Sequence, residues 1–187
     1  MTKLTGFCGS LRKGSFNAAL LRAAASSMPD GSNLIIGTIR GIPLYNADEE
    51  EASGIPPAVN ALKEAIVEGD GLLIVTPEYN NSTPGVLKNA IDWLSRPPAD
   101  SARIFKDRPV AIMGASPGGF GTILSQSAWL PVLSALGACH WSGGRLLMSR
   151  AHTLIDANGD LTDDAMKAQV TKFMAGFVDF VKSTKGK

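Results

Sequence analysis

Leu4-Thr5-Gly6-Phe7-Cys8-Gly9-Ser10-Leu11-Arg12-Lys13-Gly14-Ser15-Phe16-Asn17 is the stretch from which the architecture can be read. The apolar run Leu4–Cys8 ends in Gly9-Ser10, and Asn17–Ser27 carries helix-forming Ala and Leu. That order predicts a strand, a glycine-bearing turn and a helix. Glycines, hydroxyls and backbone N–H groups gathered at the positive end of a helix make a phosphate site. Arg12 adds bidentate hydrogen bonding to it. Two familiar phosphate motifs do not fit. A Walker loop counted from Gly9 needs Lys after Gly14, where Ser15 stands, and the spacing is not Gly-x-Gly-x-x-Gly. A loop built from Ser10, Ser15 and Asn17 suits a single phosphate monoester better than a triphosphate with magnesium. The plain alternative is a polar turn with a capping serine.

Outward from this loop, short apolar runs alternate with amphipathic stretches. Leu34–Ile39 reads as a second strand, Arg40–Pro57 as a loop rich in Gly, Pro and acid, and Val59–Glu68 as a helix. Gly71–Thr76 is continuous enough in apolar residues to be a fully buried strand. Pro84–Ser95 reads as a helix with Pro in its first turn, where a missing N–H costs nothing. Beyond a Pro97-Pro98 linker, Pro109–Ala115 is another buried strand. Ile123–Leu136 is helical in pattern, with a kink or restart expected at Pro131. The fifth strand falls in Ala138–Trp141 or in Arg145–Met148. Asp163–Lys182 closes the chain as a helix with Phe173, Phe177, Phe180 and Val181 on one face and Thr162 as its expected N-cap. Five strands separated by helices imply right-handed crossovers and a parallel sheet covered on both faces, in one α/β domain spanning residues 1–187. Ligands of such sheets sit beyond the carboxyl ends of the strands. The loops after strands one, three and four are therefore the ones that matter.

Composition limits the function classes. Hydrophobic residues are 44% and charged residues 19% of 187, an ordinary globular balance. A formal net charge of +1 gives no basic footprint for nucleic acid. The glycine-rich turn begins too close to Met1 for a signal peptide, and no apolar run approaches the roughly 20 residues of a membrane helix. A cytoplasmic protein is expected, without membrane or nucleic-acid partners. Cys8 and Cys139 are far apart, form no metal-ligand spacing, and read as two reduced core thiols.

The loop after the third strand, Thr76-Pro77-Glu78-Tyr79-Asn80-Asn81-Ser82-Thr83-Pro84-Gly85, is stiffened by two prolines. Its amides and carbonyls can address the polar edge of a flat heterocycle, and Tyr79 can pack on such a ring. The loop after the fourth strand, Gly114-Ala115-Ser116-Pro117-Gly118-Gly119-Phe120-Gly121, allows close backbone approach to a ligand. It also matches the Gly-x-Ser-x-Gly elbow of serine hydrolases. That reading fails twice. Pro117 has no N–H for an oxyanion hole. Further, no Asp or Glu lies between Pro117 and Ile155, and no His follows Asp156.

Together these loops resemble the NADPH-dependent FMN reductase family, in particular its chromate- and quinone-reducing bacterial branch. The matching residues are Gly9–Asn17, Ile42-Pro43-Leu44-Tyr45-Asn46-Ala47-Asp48, Thr76–Asn80, and Pro84-Gly85 through Leu87-Lys88-Asn89-Ala90-Ile91-Asp92-Trp93-Leu94-Ser95-Arg96. The resemblance implies a flavodoxin-like three-layer sandwich with five parallel strands in the order 2-1-3-4-5. It implies bound FMN, NADPH or NADH as electron donor, a small-molecule acceptor, and a homodimer or homotetramer. Carried over by motif, Ser10, Arg12, Lys13, Gly14, Ser15, Phe16 and Asn17 would hold the FMN phosphate, with Arg12, Ser15 and Asn17 as the main side-chain donors. Pro77, Glu78, Tyr79 and Asn80 would contact the flavin ring, and Ser116, Pro117, Gly118 and Gly119 would line its other edge. The helix Pro84–Ser95 and the loop around Tyr45 would lie near a subunit contact. One stretch departs from the family: Gly119–Trp129 lacks the Arg and the Gln-Tyr-His that members often carry after the third loop. The NADPH preference and the acceptor site are left open by this difference.

The implied activity is electron transfer from NAD(P)H through FMN to quinones, free flavin or oxidised metal ions such as chromate. A flavin carries that chemistry, so no catalytic side chain is expected. A flavodoxin-type carrier without its own NAD(P)H turnover is the alternative. Other conspicuous residues read as structure. Trp93, Trp129 and Trp141 are packing or interface residues. His140 and His152 are too isolated for a metal site, and Asp48-Glu49-Glu50-Glu51 is a solvated loop face. Asp156-Ala157-Asn158-Gly159-Asp160 begins like a calcium loop, but Leu161 and Lys167 stand where Gly and Glu are required.

Overall fold

The computed structural model describes Met1–Thr184. Its strands are β1 (Thr2–Cys8), β2 (Ser32–Ile36), β3 (Gly71–Val75), β4 (Pro109–Ala115), β5 (Cys139–His140) and β6 (Leu146–Met148). Its helices are α1 (Phe16–Ser26), α2 (Ala47–Ser53), α3 (Pro57–Val67), α4 (Gly85–Leu94), α5 (Pro98–Phe105), α6 (Ile123–Ala135) and α7 (Asp164–Thr184). The sheet runs β2-β1-β3-β4-β5 with every pairing parallel, and β6 also pairs with β4. This is the expected flavodoxin-like order.

The side-chain period of two explains the three layers. On β3, Leu73 and Val75 point into a core shared with α1 and α7, while Leu72 and Ile74 point into a second core with α3 to α6. β4 alternates in the same way, with Ala111 and Met113 on one side and Val110 and Ile112 on the other. Both faces are buried, so both strands read as continuous apolar runs.

Several elements differ from expectation for local reasons. The fifth strand is both of its candidate segments. β5 pairs with Pro109–Val110 and β6 with Met113–Ala115, along the same edge of β4. Between them Trp141 turns inward, and Gly143 and Gly144 pack so closely on its ring that an added Cβ would lie 2.5 Å from it. Strand pairing cannot continue through that bulge.

The acidic run after Tyr45 is a helix rather than a loop face. Asn46 caps α2 by accepting a hydrogen bond from the Asp48 N–H at 3.0 Å, and Glu50 reaches Arg96 at 2.9 Å. The Pro97-Pro98 linker is itself the start of α5. Pro84 is the N-cap of α4 rather than a first-turn residue, and the cap of α7 is Asp163, not Thr162. The Asp163 carboxylate accepts from the Met166 N–H at 2.7 Å. Cys139 is exposed and Cys8 half-buried, so neither is a core thiol, although both are free. Trp93 and Trp129 are fully buried, as expected for packing residues. No helix among the described residues is long and apolar enough to cross a membrane.

Candidate active site

The three loops meet beyond the carboxyl ends of β1, β3 and β4. They enclose a cleft of about 290 Å³ lined by Ser10, Arg12, Ser15, Phe16, Asn17, Pro77, Glu78, Tyr79, Ala115, Ser116 and Pro117. Of the residues singled out in the sequence, Gly14, Asn80, Gly118 and Gly119 are not in this lining, and Lys13 faces a neighbouring cavity. Ala115 is in the lining but was not foreseen. As the last residue of a buried strand it carries no signal of its own.

The first loop is built around the N-terminus of α1. Ser15 is the N-cap, in extended conformation, and its Oγ accepts from the Ala18 N–H at 3.3 Å. Its Oγ also lies 3.7 Å from the Cys8 Sγ, and where the thiol is the donor of that contact the hydroxyl proton is free for an anion. No acidic residue stands in the first turn of α1, so nothing neutralises its positive end. The Arg12 guanidinium lies 5.0 Å from the centre of the Phe16 ring, which holds it over the cleft mouth. Burial raises the Cys8 thiol above its ordinary value, so this residue brings no competing negative charge to the loop.

Asn17 has a structural task as well as a place in the cleft lining. Its Nδ2 donates to the Ala115 carbonyl at 2.8 Å and its Oδ1 accepts from the Ala115 N–H at 2.8 Å. This buried pair ties the phosphate loop to the end of β4. The carboxamide acts as a strut, and it lines the cleft together with Ser10, Arg12 and Ser15.

Glu78 is similarly engaged. One carboxylate oxygen accepts from the Leu124 and Ser125 N–H groups at 2.8 and 3.0 Å, capping the start of α6. The same loop makes a small hairpin, in which Tyr79 and Ser82 exchange backbone hydrogen bonds around Asn80 and Asn81, with φ of 50° and 60°. Two left-handed residues in succession are the mark of a type I′ turn. The third loop is pinned from behind. Ser116 N–H donates to Met148, Ala151 N–H to Ser116, and Arg150 N–H to Gly118. Gly114 is obligatory at its base, because a Cβ there would collide with the Thr122 hydroxyl and the Thr76 carbonyl.

The loop around Tyr45 docks on α4. Tyr45 N–H donates to Asn89 Oδ1 at 2.8 Å, the Trp93 indole donates to the Pro43 carbonyl at 2.9 Å, and the Tyr45 and Trp93 rings meet edge to face. Arg96 holds the Glu50 carboxyl below its usual range, and the Glu50 carboxylate pushes the Tyr45 phenol up. Among the described residues there is no group of His, Cys, Asp or Glu able to hold a metal ion.

A parallel sheet in the order 2-1-3-4-5, with a cleft across its strand ends and an unopposed helix N-terminus facing it, defines a flavodoxin-like α/β protein built to hold a phosphorylated planar ligand. The chain belongs to the NADPH-dependent FMN reductase family, whose model matches residues 2–153. It is 41% identical over 184 residues to an NAD(P)H-dependent FMN reductase of Pseudomonas aeruginosa, covering 98% of this chain and 97% of that one. A 2-hydroxy-1,4-benzoquinone reductase of a Burkholderia species is 38% identical over 180 residues, with 96% of each chain covered. In structure it resembles FerB, a flavoenzyme NAD(P)H:(acceptor) oxidoreductase of Paracoccus denitrificans. The TM-score is 0.86 at 31% identity, with 98% and 99% of the two chains covered.

Proposed function

We propose that this chain is a single-domain, cytoplasmic FMN-dependent NAD(P)H oxidoreductase that reduces small acceptors, namely quinones, free flavin or oxidised metal ions such as chromate. The observation that carries the reading is the shared cleft of the three loops, with the N-terminus of α1 and Arg12 at one end and the rigid hairpin of Tyr79 at the other. That donor set suits one phosphate monoester. The α1 N–H groups and the Ser15 hydroxyl would donate to it, Arg12 would supply the counter-charge, and no acid stands in the first turn to oppose it.

When bound, FMN supplies the redox chemistry, taking a hydride from the nicotinamide and passing two electrons on to the acceptor. The chain's own residues orient and shield. Asn17 and Ala115 fix the phosphate end relative to β4. Glu78, anchored on α6, and the Asn80-Asn81 turn fix the hairpin against which the ring would lie. Pro77 and Pro117 present apolar surface to the cleft and exclude water from it. A side chain acting as nucleophile or general base is not required.

A homodimer or homotetramer belongs to the same proposal. Leu44, Tyr79, Val86, Phe120, Leu124 and Leu130 are large apolar side chains left exposed on the loops and helices around the cleft. Phe120 is 83% exposed and Leu44 80%, which is costly for a monomer unless another surface covers them.

The test is the visible spectrum of FMN-loaded protein under anaerobic conditions, before and after adding NADPH and then NADH. Rapid bleaching of the oxidised flavin bands is expected. A flavin that stays oxidised with both donors would overturn the reductase reading in favour of an electron carrier.

A further inference from the structure

Beside the cleft lies a second cavity of about 390 Å³ at the carboxyl end of β2, sharing Ser10 and Arg12 with it. We infer that this cavity binds the adenosine-phosphate end of a dinucleotide whose other end occupies the cleft, an assignment that rests on the function proposed above. Three observations lead there.

The first is charge. Arg12, Lys13, Arg22 and Arg40 all line the cavity. Among the described residues, none of the four forms an ion pair with a carboxylate. Seven other lysines and arginines pair with acids in the same structure, whereas these four unpaired cations share one concave surface. Four such charges on one concave surface raise the local concentration of an anion and repel one another without it.

The second is the apolar wall. Leu11 and Ile36 also line the cavity and are 40% and 48% exposed. Apolar surface next to arginines matches an adenine ring next to its phosphates, whereas a bare anion would leave that surface wet.

The third is position. In dinucleotide-binding sheets of the order 3-2-1-4-5-6, an acid after β2 bonds the adenosine 2′-hydroxyl and an arginine nearby accommodates a 2′-phosphate; this sheet differs in order but likewise sets β2 beside β1. Here the chain leaves β2 through Gly37-Thr38-Ile39-Arg40 with no acid. Arg40 is placed by its own hydrogen bond, Nη2 to the Leu11 carbonyl at 3.0 Å, which fastens this segment to the phosphate loop. Arg22 donates to the Gly159 carbonyl at 2.7 Å and is thereby also set in place.

Two dinucleotides carry this chemistry, NADPH through its adenosine 2′,5′-bisphosphate end and FAD through its AMP end. The arms of the experiment separate them. Adenosine 2′,5′-bisphosphate is titrated calorimetrically into FMN-loaded wild-type protein and into the double variant Arg22→Gln, Arg40→Gln. Binding to the wild type and about tenfold weaker binding to the variant are expected, from the loss of two charge-assisted contacts. For NADPH as the source, kcat/KM for NADPH falls by a similar factor while NADH turnover and FMN affinity are unchanged. For FAD as the source, apoprotein affinity for FAD falls while that for FMN is retained. The charge-preserving double variant Arg22→Lys, Arg40→Lys should retain most of the binding, and shows that the glutamine variant fails through charge rather than folding. The inference is overturned if the bisphosphate does not bind wild-type protein, or binds variant and wild type alike. Failure of the reductase reading shows separately, as absence of NAD(P)H oxidation with calorimetric binding intact.

Discussion

Asn17 illustrates how a residue can match a motif and still act through the scaffold. The motif implies a phosphate donor, and the structure adds a second task, that of clamp between α1 and the Ala115 backbone, 98 positions away. Replacing it with Ala would leave the N–H and the C=O of Ala115 without partners at the end of a buried strand. Two lost hydrogen bonds and two desolvated backbone groups should cost about 2–4 kcal/mol. Thermal or urea unfolding of Asn17→Ala should show that loss in the absence of flavin. A variant as stable as wild type would mean that Asn17 is not a strut. Glu78 and Ser15 follow the same logic, since their local hydrogen bonds fix them before any ligand arrives. Loop residues that look like ligand contacts in a sequence can line the cleft and hold its walls at once, as Ser15, Asn17 and Glu78 do.

At the scale of elements, the junction between the β3 loop and α6 matters most. α6 begins without a side-chain cap from its own Thr122, and Glu78, 46 positions earlier, satisfies two of its first N–H groups. A carboxylate on a helix N-terminus also gains from the dipole. Glu78→Ala should therefore cost about 1 kcal/mol of stability, and it should loosen the hairpin over the cleft, weakening FMN binding more than it weakens folding. Flavin titration of the apoprotein alongside its melting temperature checks this; a variant with unaltered flavin affinity would remove the coupling between α6 and the loop. The same scale shows what patterning could reveal. Buried strands and long helices were legible within a few residues because the periods of two and 3.6 are local. α2 and α5 were not, because acid-rich and proline-led segments carry the signs of loops, and their helicity comes from the Asn46 cap and from packing of Ile104 and Phe105. Both halves of the fifth strand were legible as candidates, but their joint use along β4 was not, since only the burial of Trp141 interrupts the strand.

For the molecule as a whole, His140 on β5 gives a pH signature. Partial burial lowers its pKa below the ordinary 6.5, so the fold favours the neutral ring. Its contribution to stability is complete above about 6.5 and is lost as pH falls through the lowered folded value, because the unfolded chain then binds the proton more readily. The melting temperature should therefore drop between pH 7 and pH 5.5, before most carboxylates titrate, and should drop less in His140→Gln. Equal slopes in the two proteins would show that the ring is solvated in the fold.

What the sequence determined by itself was everything carried by local order: alternation of strand and helix, the parallel sheet that alternation requires, and three polar loops at the strand ends. The loop motifs also carried the family. Tertiary structure alone decided which members of those loops face the cleft. Asn17 and Glu78, which line it, also brace it through partners 98 and 46 or more residues distant, and such partners leave no trace in spacing. It also decided that Arg22 and Arg40, scattered in the chain and outside any motif, join Arg12 and Lys13 around one cavity. The physical reason is common to both cases. Periodicity records which side of an element is buried, whereas convergence of charges and hydrogen-bonding groups depends on how elements far apart in sequence are brought together by a shared core.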